Sequence, residues 1–480
     1  MDWIANQSVV QFIGPSKRKS STNCGYCKTS GGADSDETDN DDVQEDPDEK
    51  KSVCLGLGAI RVYTEHVNVM VDRGIWGYRM TALDYQNLID INWRRSGRYL
   101  YKPIMEETCC PLYTIRLDAL KFKISRSQKR VLRNWHDFLK DGKKPAICGD
   151  VCKHEYQPGT SAPLKKEKVP PTPNLEKCRE RKKKFIRRNQ CFERLKNKGI
   201  DIDEYQNERK LKEKARQRTL ESYFTPHEET FKHKLEVKIV RVGSSEFNES
   251  FDESFSIYVK YQQIVHQDKR CSRRGYHSFL VDTPFIPPTF APEDGFPQEG
   301  THHMQYLIDG QIVAVGVIDL LPRCLSSAYF YYDPDYAFLN LGTFSALKEI
   351  EFVRRISEAR PDCYHYYMGY YVHKCRKMRY KGGFSPSELL DEHSHQWVPL
   401  PECQKMIEEN DGKFTVFRPN APPATTNSVW MCRPLRYHNS NSIGGSGHFE
   451  KLQMNAELAE QLSLFSKHFG DLASSVFVVV

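Results

Sequence analysis

Two groups of residues in this 480-residue chain have the types and spacing to do chemistry. The first is Cys24-Gly25-Tyr26-Cys27 together with the adjacent pair Cys109-Cys110, which precedes Pro111. Two thiolates with two residues between them converge across a tight turn, which Gly25 permits, and so chelate one metal ion. That supplies half of a tetrahedral site. Cys109 and Cys110 are candidates for the other half, although adjacent cysteines point apart unless the backbone is irregular, as Pro111 can make it. Zinc and an iron–sulfur cluster both accept four thiolates, so spacing does not choose between them. Ordinary reduced thiols are the alternative in a chain with 15 cysteines.

The second group lies between Gly300 and Phe384. It contains His302-His303, Asp333-Pro334-Asp335, Glu349-Ile350-Glu351 and the tyrosine-rich run 366–371 that leads to His373. Lys374, Arg376, Lys377, Arg379 and Lys381 follow directly, five cations within eight residues. Such a run repels itself unless an anion is expected. Carboxylates and histidines are the side chains that general acid–base work uses. Geometry narrows the choice. His302 and His303 fall on opposite faces of a strand, so one of them at most faces a cleft. Glu349 and Glu351 are two apart on a helix and do not share a face. Asp333-Pro-Asp335 is also a turn-forming sequence, and Asp319, ending an apolar strand before Pro322, reads as structural.

These residues need a scaffold. Alternation and turn signals predict strands over 61–64, 114–117, 234–242, 302–308, 312–320, 326–332 and 363–372. Helices are expected over 81–94, 127–139, 254–268, 341–358 and 453–469. The Asp309-Gly310 pair marks a hairpin. The pattern is α+β or α/β with a largely antiparallel sheet. Strand, hairpin, strand, long helix and aromatic strand is the order of the GNAT acyltransferase fold. An acetyltransferase of that fold needs a glycine-rich turn before its long helix to hold a pyrophosphate. Here that turn has Gly342 alone, so coenzyme A is not expected as the donor.

The phrases Cys24-Gly-Tyr-Cys27, Trp76-Gly-Tyr-Arg79 and Cys109-Cys110 resemble the N-terminal region of eukaryotic arginyl-tRNA–protein transferases, enzymes of the N-degron pathway. Val317-Ile-Asp319, Tyr332-Asp-Pro-Asp-Tyr336, Glu349-Ile-Glu351 and the run from Tyr366 to Lys381 resemble the family's C-terminal region. The resemblance implies a GNAT-like fold, a metal centre on Cys24, Cys27, Cys109 and Cys110 (iron–sulfur, with zinc as the alternative), and work in cytoplasm and nucleus. It implies transfer of arginine from arginyl-tRNA to the α-amino group of proteins that begin with Asp, Glu or oxidised Cys, marking them for ubiquitin-dependent degradation. Such an enzyme needs pockets of opposite sign. Asp333, Asp335, Glu349 and Glu351 are available for the arginine guanidinium, and Lys374, Lys377, Arg379 and Lys381 for the acceptor carboxylate. Tyr370, His302, His303 and His373 are the further catalytic candidates. Tyr367 belongs to a tyrosine face that can meet the terminal adenosine. Competing readings are a GNAT-type acetyltransferase and a non-catalytic, metal-bearing RNA-binding protein.

Composition frames the rest. Hydrophobic residues make up 39%, charged residues 28%, and mean hydropathy is −0.65, so packed and solvated segments coexist. Apolar runs stay short of the ~18 residues of a membrane span, and the N-terminus has no basic head, so a soluble intracellular protein with no membrane partner is expected. The net charge of +7 is unevenly spread. Residues 34–50 form an acidic insert expected to be disordered inside a cysteine-rich region, 1–150. Residues 151–225 begin proline-rich and become basic, and the Lys/Arg-dense stretch 179–188 includes Lys182, Lys183, Lys184, Arg187 and Arg188. An exposed helix there, striped by Phe185, Phe192 and Leu195, is the candidate tRNA contact, with a solvated face or a nuclear-import signal as the alternative. A catalytic domain is expected over 226–400, with an extension over 401–480.

Overall fold

The turn Asp309-Gly310 sets the register of the central hairpin. Both residues adopt positive φ, 53° and 84°, the two-residue geometry whose twist matches that of the flanking strands. It pairs Ile308 with Gln311 and runs back to pair Gly300 with Leu320.

The computed structural model describes residues 8–17, 71–108, 110–145, 175–199, 201–215, 218–224, 230–287, 292–424, 433–438, 448–451 and 477–479. The chain divides into two compact units, one of residues 1–145 with 227–480 and one of residues 146–226. The first unit is mixed α+β. Its described strands are β1 (Val9–Lys17), β2 (Val71–Arg79), β3 (Arg94–Ser96), β4 (Tyr99–Pro103), β5 (Tyr113–Asp118), β6 (Leu235–Arg241), β7 (Gly300–Ile308), β8 (Gln311–Leu321), β9 (Cys324–Tyr332), β10 (His365–Tyr371), β11 (Ser387–Leu390), β12 (Trp397–Pro399), β13 (Arg433–His438), β14 (His448–Lys451) and β15 (Phe477–Val479). An eight-stranded sheet has the order β12-β11-β5-β10-β9-β8-β7-β6, and a seven-stranded sheet the order β14-β13-β15-β1-β2-β4-β3. The larger sheet is antiparallel throughout except where β9 meets β10. Every residue of β7 is buried, because both faces of the sheet are covered.

The described helices of eight or more residues are α1 (Ala82–Ile89), α2 (Arg126–Asp141), α3 (Leu175–Lys196), α4 (Ile202–Ala215), α5 (Ser245–Tyr261), α6 (Leu341–Ala359) and α7 (Leu400–Glu409). None of the described helices is long and apolar enough to cross a membrane. Helices α3 and α4 lie in the second unit. On α3, Phe185 and Ile186 are exposed, and the Arg188 guanidinium sits 5.5 Å from the centroid of Phe185 and 5.9 Å from that of Phe192. Arg187 and Arg188 are solvent-facing.

Several elements differ from the sequence reading. The helix expected over 81–94 stops at Ile89, because Asn92 takes a positive φ of 75° and turns the chain into β3. The helix expected over 254–268 starts earlier, at Ser245, where the Ser244 hydroxyl accepts from the Phe247 amide at 3.1 Å. It then loosens into a π-helical turn over Gln262–His266. The expected strand 61–64, the acidic insert and the helix 453–469 lie outside the described residues. Strand β5 comes from the N-terminal region yet lies between β10 and β11 in the sheet of the C-terminal one. The regions 1–150 and 226–400 therefore share a sheet.

One irregularity prepares the site. Strands β9 and β10 run parallel and pair over Cys324–Ser326 with His365–Tyr367 alone, although both strands continue. The β10 ladder with β5 is also broken between Tyr367 and Tyr370, where Gly369 adopts φ 70°, a conformation that costs other residues about 1–2 kcal/mol. Beyond Ser326 and Tyr367 the two strands part, and a wedge opens in the sheet.

Candidate active site

A cavity of about 350 Å³ occupies that wedge. Ser326, Ser327 and Tyr329 of β9 line one side and Tyr366, Met368 and Tyr370 of β10 the other. The first turns of α6 close it with Gly342, Ser345 and Ala346. Helix α2 steadies that end, since the Trp135 indole donates to the Leu339 carbonyl at 2.8 Å and stacks on Phe344 at 3.9 Å. Tyr261, just before the π turn, and His266, its last residue, complete the walls with Arg94 and Arg95 of β3.

The charged side chains lining the cavity are Arg94, Arg95, Lys377 and Lys381, and no carboxylate lines it among the described residues. The two arginines differ in how they are held. Arg95 is buried and bonded to Asp319 through Nε–Oδ2 at 2.8 Å and Nη2–Oδ1 at 2.5 Å. It also donates to the Gly97 carbonyl at 3.0 Å and to Thr301 at 2.7 Å. Asp319 is thus structural, as its place before Pro322 suggests. Arg94 is 6% exposed and has no carboxylate partner among the described residues. Its Nη1 donates to the Trp93 and Ile89 carbonyls at 2.8 and 3.4 Å, and its Nη2 to Thr114 at 3.0 Å, whereas its Nε has no hydrogen-bond partner among the described residues. Tyr367 and Tyr370 present ring centroids 5.8 and 5.4 Å from its guanidinium carbon.

Lys381 is half-buried, and its Nζ donates to the Tyr370 carbonyl at 2.9 Å, a backbone group in the strand flanking the wedge. Burial, reinforced by the Arg94 charge, pushes the amine down to about 7. Lys377 is exposed at the rim. Behind the cavity wall lies Glu349, 1% exposed. The Tyr366 hydroxyl donates to its Oε2 at 2.7 Å, while Oε1 has no hydrogen-bond partner among the described residues. Burial raises its carboxyl to about 7 against the opposing Tyr366 and Ser327 hydroxyls. Gly316 permits this placement, because a Cβ there would come within 3.0 Å of Oε1.

The remaining candidates are distributed more widely. Glu351 is buried in ion pairs with Lys348 and Arg355, each at 2.8 Å, which fits its separation from Glu349 on the helix. Asp333 caps a 3-10 turn and shares Lys260 with Asp335, at 2.5 and 2.8 Å. Both histidines of β7 are buried away from the cavity lining, His302 bonded to the Gly300 carbonyl at 3.1 Å and His303 to that of Leu280 at 3.0 Å. Burial drops each imidazole to about 4 and keeps it neutral near pH 7. His373 bonds the Tyr371 hydroxyl at 3.0 Å outside the lining. Tyr370 lines the cavity and directs its hydroxyl to the Asn92 carbonyl at 3.1 Å. Tyr367 faces away, its hydroxyl bonded to Asp90 and its ring packed on Trp397. Lys374 is exposed with its stem over Gly412, and Arg379 is exposed outside the lining.

Among the proposed thiolates, Cys24, Cys27 and Cys109 lie outside the described residues. Cys110 is buried and packs in one cluster with Tyr370 and Cys375, which both line the cavity. Lys182, Lys183 and Lys184 fall on α3, where their side chains are not described. Sequence reasoning missed Arg94, Arg95 and Ser327 as lining residues. The available signal was an arginine pair directly after Leu88, Ile89, Ile91 and Trp93, since charges among large apolar residues need a reason.

Residues 22–130 match the family model described as "Arginine-tRNA-protein transferase, N terminus", and residues 253–391 match "Arginine-tRNA-protein transferase, C terminus". Arginyl-tRNA–protein transferase 1 of Drosophila melanogaster is 36% identical over 71% of this chain and 80% of its own length. Arginyl-tRNA–protein transferase 2 of Arabidopsis thaliana is 31% identical over 71% of this chain and 73% of its own. An aspartate/glutamate leucyltransferase of Chromohalobacter salexigens is 33% identical over 32% of this chain and 56% of its own. The chain therefore belongs to the arginyl-tRNA–protein transferase family, aminoacyltransferases that move arginine from tRNA to proteins.

Proposed function

We propose that the acceptors are proteins whose first residue is Asp, Glu or oxidised Cys, and that their arginylation marks them for ubiquitin-dependent degradation. The observation that supports this most directly is the charge of the cavity: among the described residues Arg94, Arg95, Lys377 and Lys381 line it and no carboxylate does. An acidic side chain beside the reacting amine is the complement of such a wall. The bacterial relative's name, which pairs aspartate and glutamate with leucyl transfer, points the same way.

The chemistry asks little beyond placement. The ester of arginyl-tRNA is already activated, and an α-amine of pKa about 7.7–8.0 is partly neutral at cell pH. The amine attacks the ester carbonyl, the carbon–O3′ bond breaks, the amine gives up a proton and O3′ gains one. Two reactants held in line remove most of the barrier's entropic part. Glu349, raised to about 7, has the affinity to hold that proton in transit, and Tyr366 connects it to the cavity. A GNAT-like arrangement is supported by the parting of β9 and β10 beside α6.

The same reading gives α3 a tRNA contact through Arg187, Arg188 and the Lys182–Lys184 run, and gives Cys24, Cys27, Cys109 and Cys110 one iron–sulfur or zinc centre. It places the enzyme in cytoplasm and nucleus and gives coenzyme A no part. The test is a single transfer assay. Charged arginyl-tRNA is incubated with otherwise identical peptides beginning Asp or Ala. Transfer to the Asp peptide alone is expected, and equal transfer to both would overturn the acceptor assignment.

A further inference from the structure

We infer that Arg94, rather than the exposed cations that follow β10, grips the side-chain carboxylate of the acceptor, with Lys381 beside it. This rests on the acidic-acceptor reading above and names the residue that enforces it. Four cations line the cavity, and three are poorer candidates for the first grip. Arg95 is already neutralised by Asp319 and has further bonds to Thr301 and the Gly97 carbonyl. Lys377 is exposed at the rim, where solvent screens it. Lys381 spends one N–H on the Tyr370 carbonyl.

Arg94 differs from all of them. A guanidinium carries five N–H groups. In Arg94 three are spent, two from Nη1 on carbonyls and one from Nη2 on Thr114. Among the described residues the Nε–H has no hydrogen-bond partner and Nη2 donates to Thr114 alone; those two nitrogens form the side of the fork that holds a carboxylate bidentately, and because Nε is closed to water here a carboxylate reaches it as the wall adjusts. Burying a cation at 6% exposure with no anion among the described residues is costly. The rings of Tyr367 and Tyr370 compensate only in part, since cation–π contacts contribute about 0.5–2 kcal/mol. A carboxylate entering the wedge supplies the missing partner. It also meets Lys381, which lines the same cavity with its Nζ on the Tyr370 carbonyl.

The test uses the full-length enzyme, arginyl-tRNA and two isosteric peptides, one beginning Asp and one beginning Asn. The wild type is expected to favour Asp in kcat/KM. Arg94→Gln should lower kcat/KM for the Asp peptide on the order of 10–100-fold, the usual weight of a charge-assisted bond, and bring Asp and Asn close to parity. Lys381→Met, which spares the Arg94 bonds to Trp93, Ile89 and Thr114, should reduce the same preference by a smaller factor. Arginyl-tRNA affinity, measured by filter binding, should change less than about 3-fold in either variant. Arg94→Gln that keeps the full Asp-over-Asn preference overturns the assignment, as does Lys381→Met with an undiminished preference if Arg94→Gln does not fold. A wild type with no preference for Asp sinks the acceptor reading itself, a result that differs from both.

Discussion

Asp319→Asn is the sharpest probe of how the cavity wall is built. The substitution keeps the size of the side chain and removes its charge. Asp319 and Arg95 have side-chain exposures of 0% and 4%, and their two bonds run at 2.8 and 2.5 Å. With the carboxylate gone, a guanidinium is left in a dry interior with neutral partners only. Breaking a buried pair from one side costs about 3–5 kcal/mol, most of it the desolvated charge that is left behind. Urea unfolding followed by tryptophan fluorescence should show that loss as a lower midpoint with an unchanged slope. The paired replacement Arg95→Met with Asp319→Leu should recover most of it, because apolar side chains need no counter-ion. A cost for Asp319→Asn under about 1 kcal/mol, or a double variant less stable than the sum of the singles, would refute the reasoning.

Glu349→Gln should flatten the pH dependence of stability. The folded carboxyl binds its proton more tightly than the unfolded one, with a value near 7 against an ordinary 4.5. The stabilisation is complete below about pH 4.5 and is lost as pH rises through 7, a swing of about 3 kcal/mol in the wild type that the variant should lack in unfolding titrations. Gly316→Ala places a methyl within 3.0 Å of Glu349 Oε1 and should cost about 1–3 kcal/mol by thermal unfolding; Gly316→Ala with Glu349→Ser should recover part of that loss. If α3 tracks phosphates, Arg187→Gln with Arg188→Gln should weaken tRNA binding and reduce the salt slope by about 1–2, measured by filter binding from 50 to 200 mM salt. An unchanged slope would remove α3 from the tRNA site.

The hairpin of β7 and β8 was legible because Asp309-Gly310 fixes its turn and the flanking residues alternate. The long helix α6 was legible because its apolar positions recur at helical spacing. Glu349 stands out from Glu351 for the reason the two-residue offset gives, since the first reaches Tyr366 and the second finds Lys348 and Arg355 on its own helix. Arg94 was legible only as a charge among large apolar residues, because nothing local in Trp93-Arg94-Arg95 shows that β3 turns toward a wedge formed by residues more than 200 positions later. The parting of β9 from β10 was likewise hidden, since Gly369 reads as one glycine in a tyrosine-rich strand until the ladder around it is known. Local chemistry writes turns and helices. Long-range pairing writes the cavity.

The position of β5 has a consequence for how the chain is made. Its Ile115 and Leu117 are fully buried between partners that the ribosome adds much later. At about 5–20 residues per second, the roughly 250 residues between β5 and β10 take on the order of 12–50 s to synthesise. For that interval an apolar strand has neither of its final neighbours, which makes nascent chains sticky and gives chaperones a window in which to act. The same separation means that a fragment starting at residue 227 lacks the strand on which both β10 and β11 rest. Production of the C-terminal half alone should yield aggregates, and supplying residues 71–145 as a separate chain during refolding should raise the soluble yield.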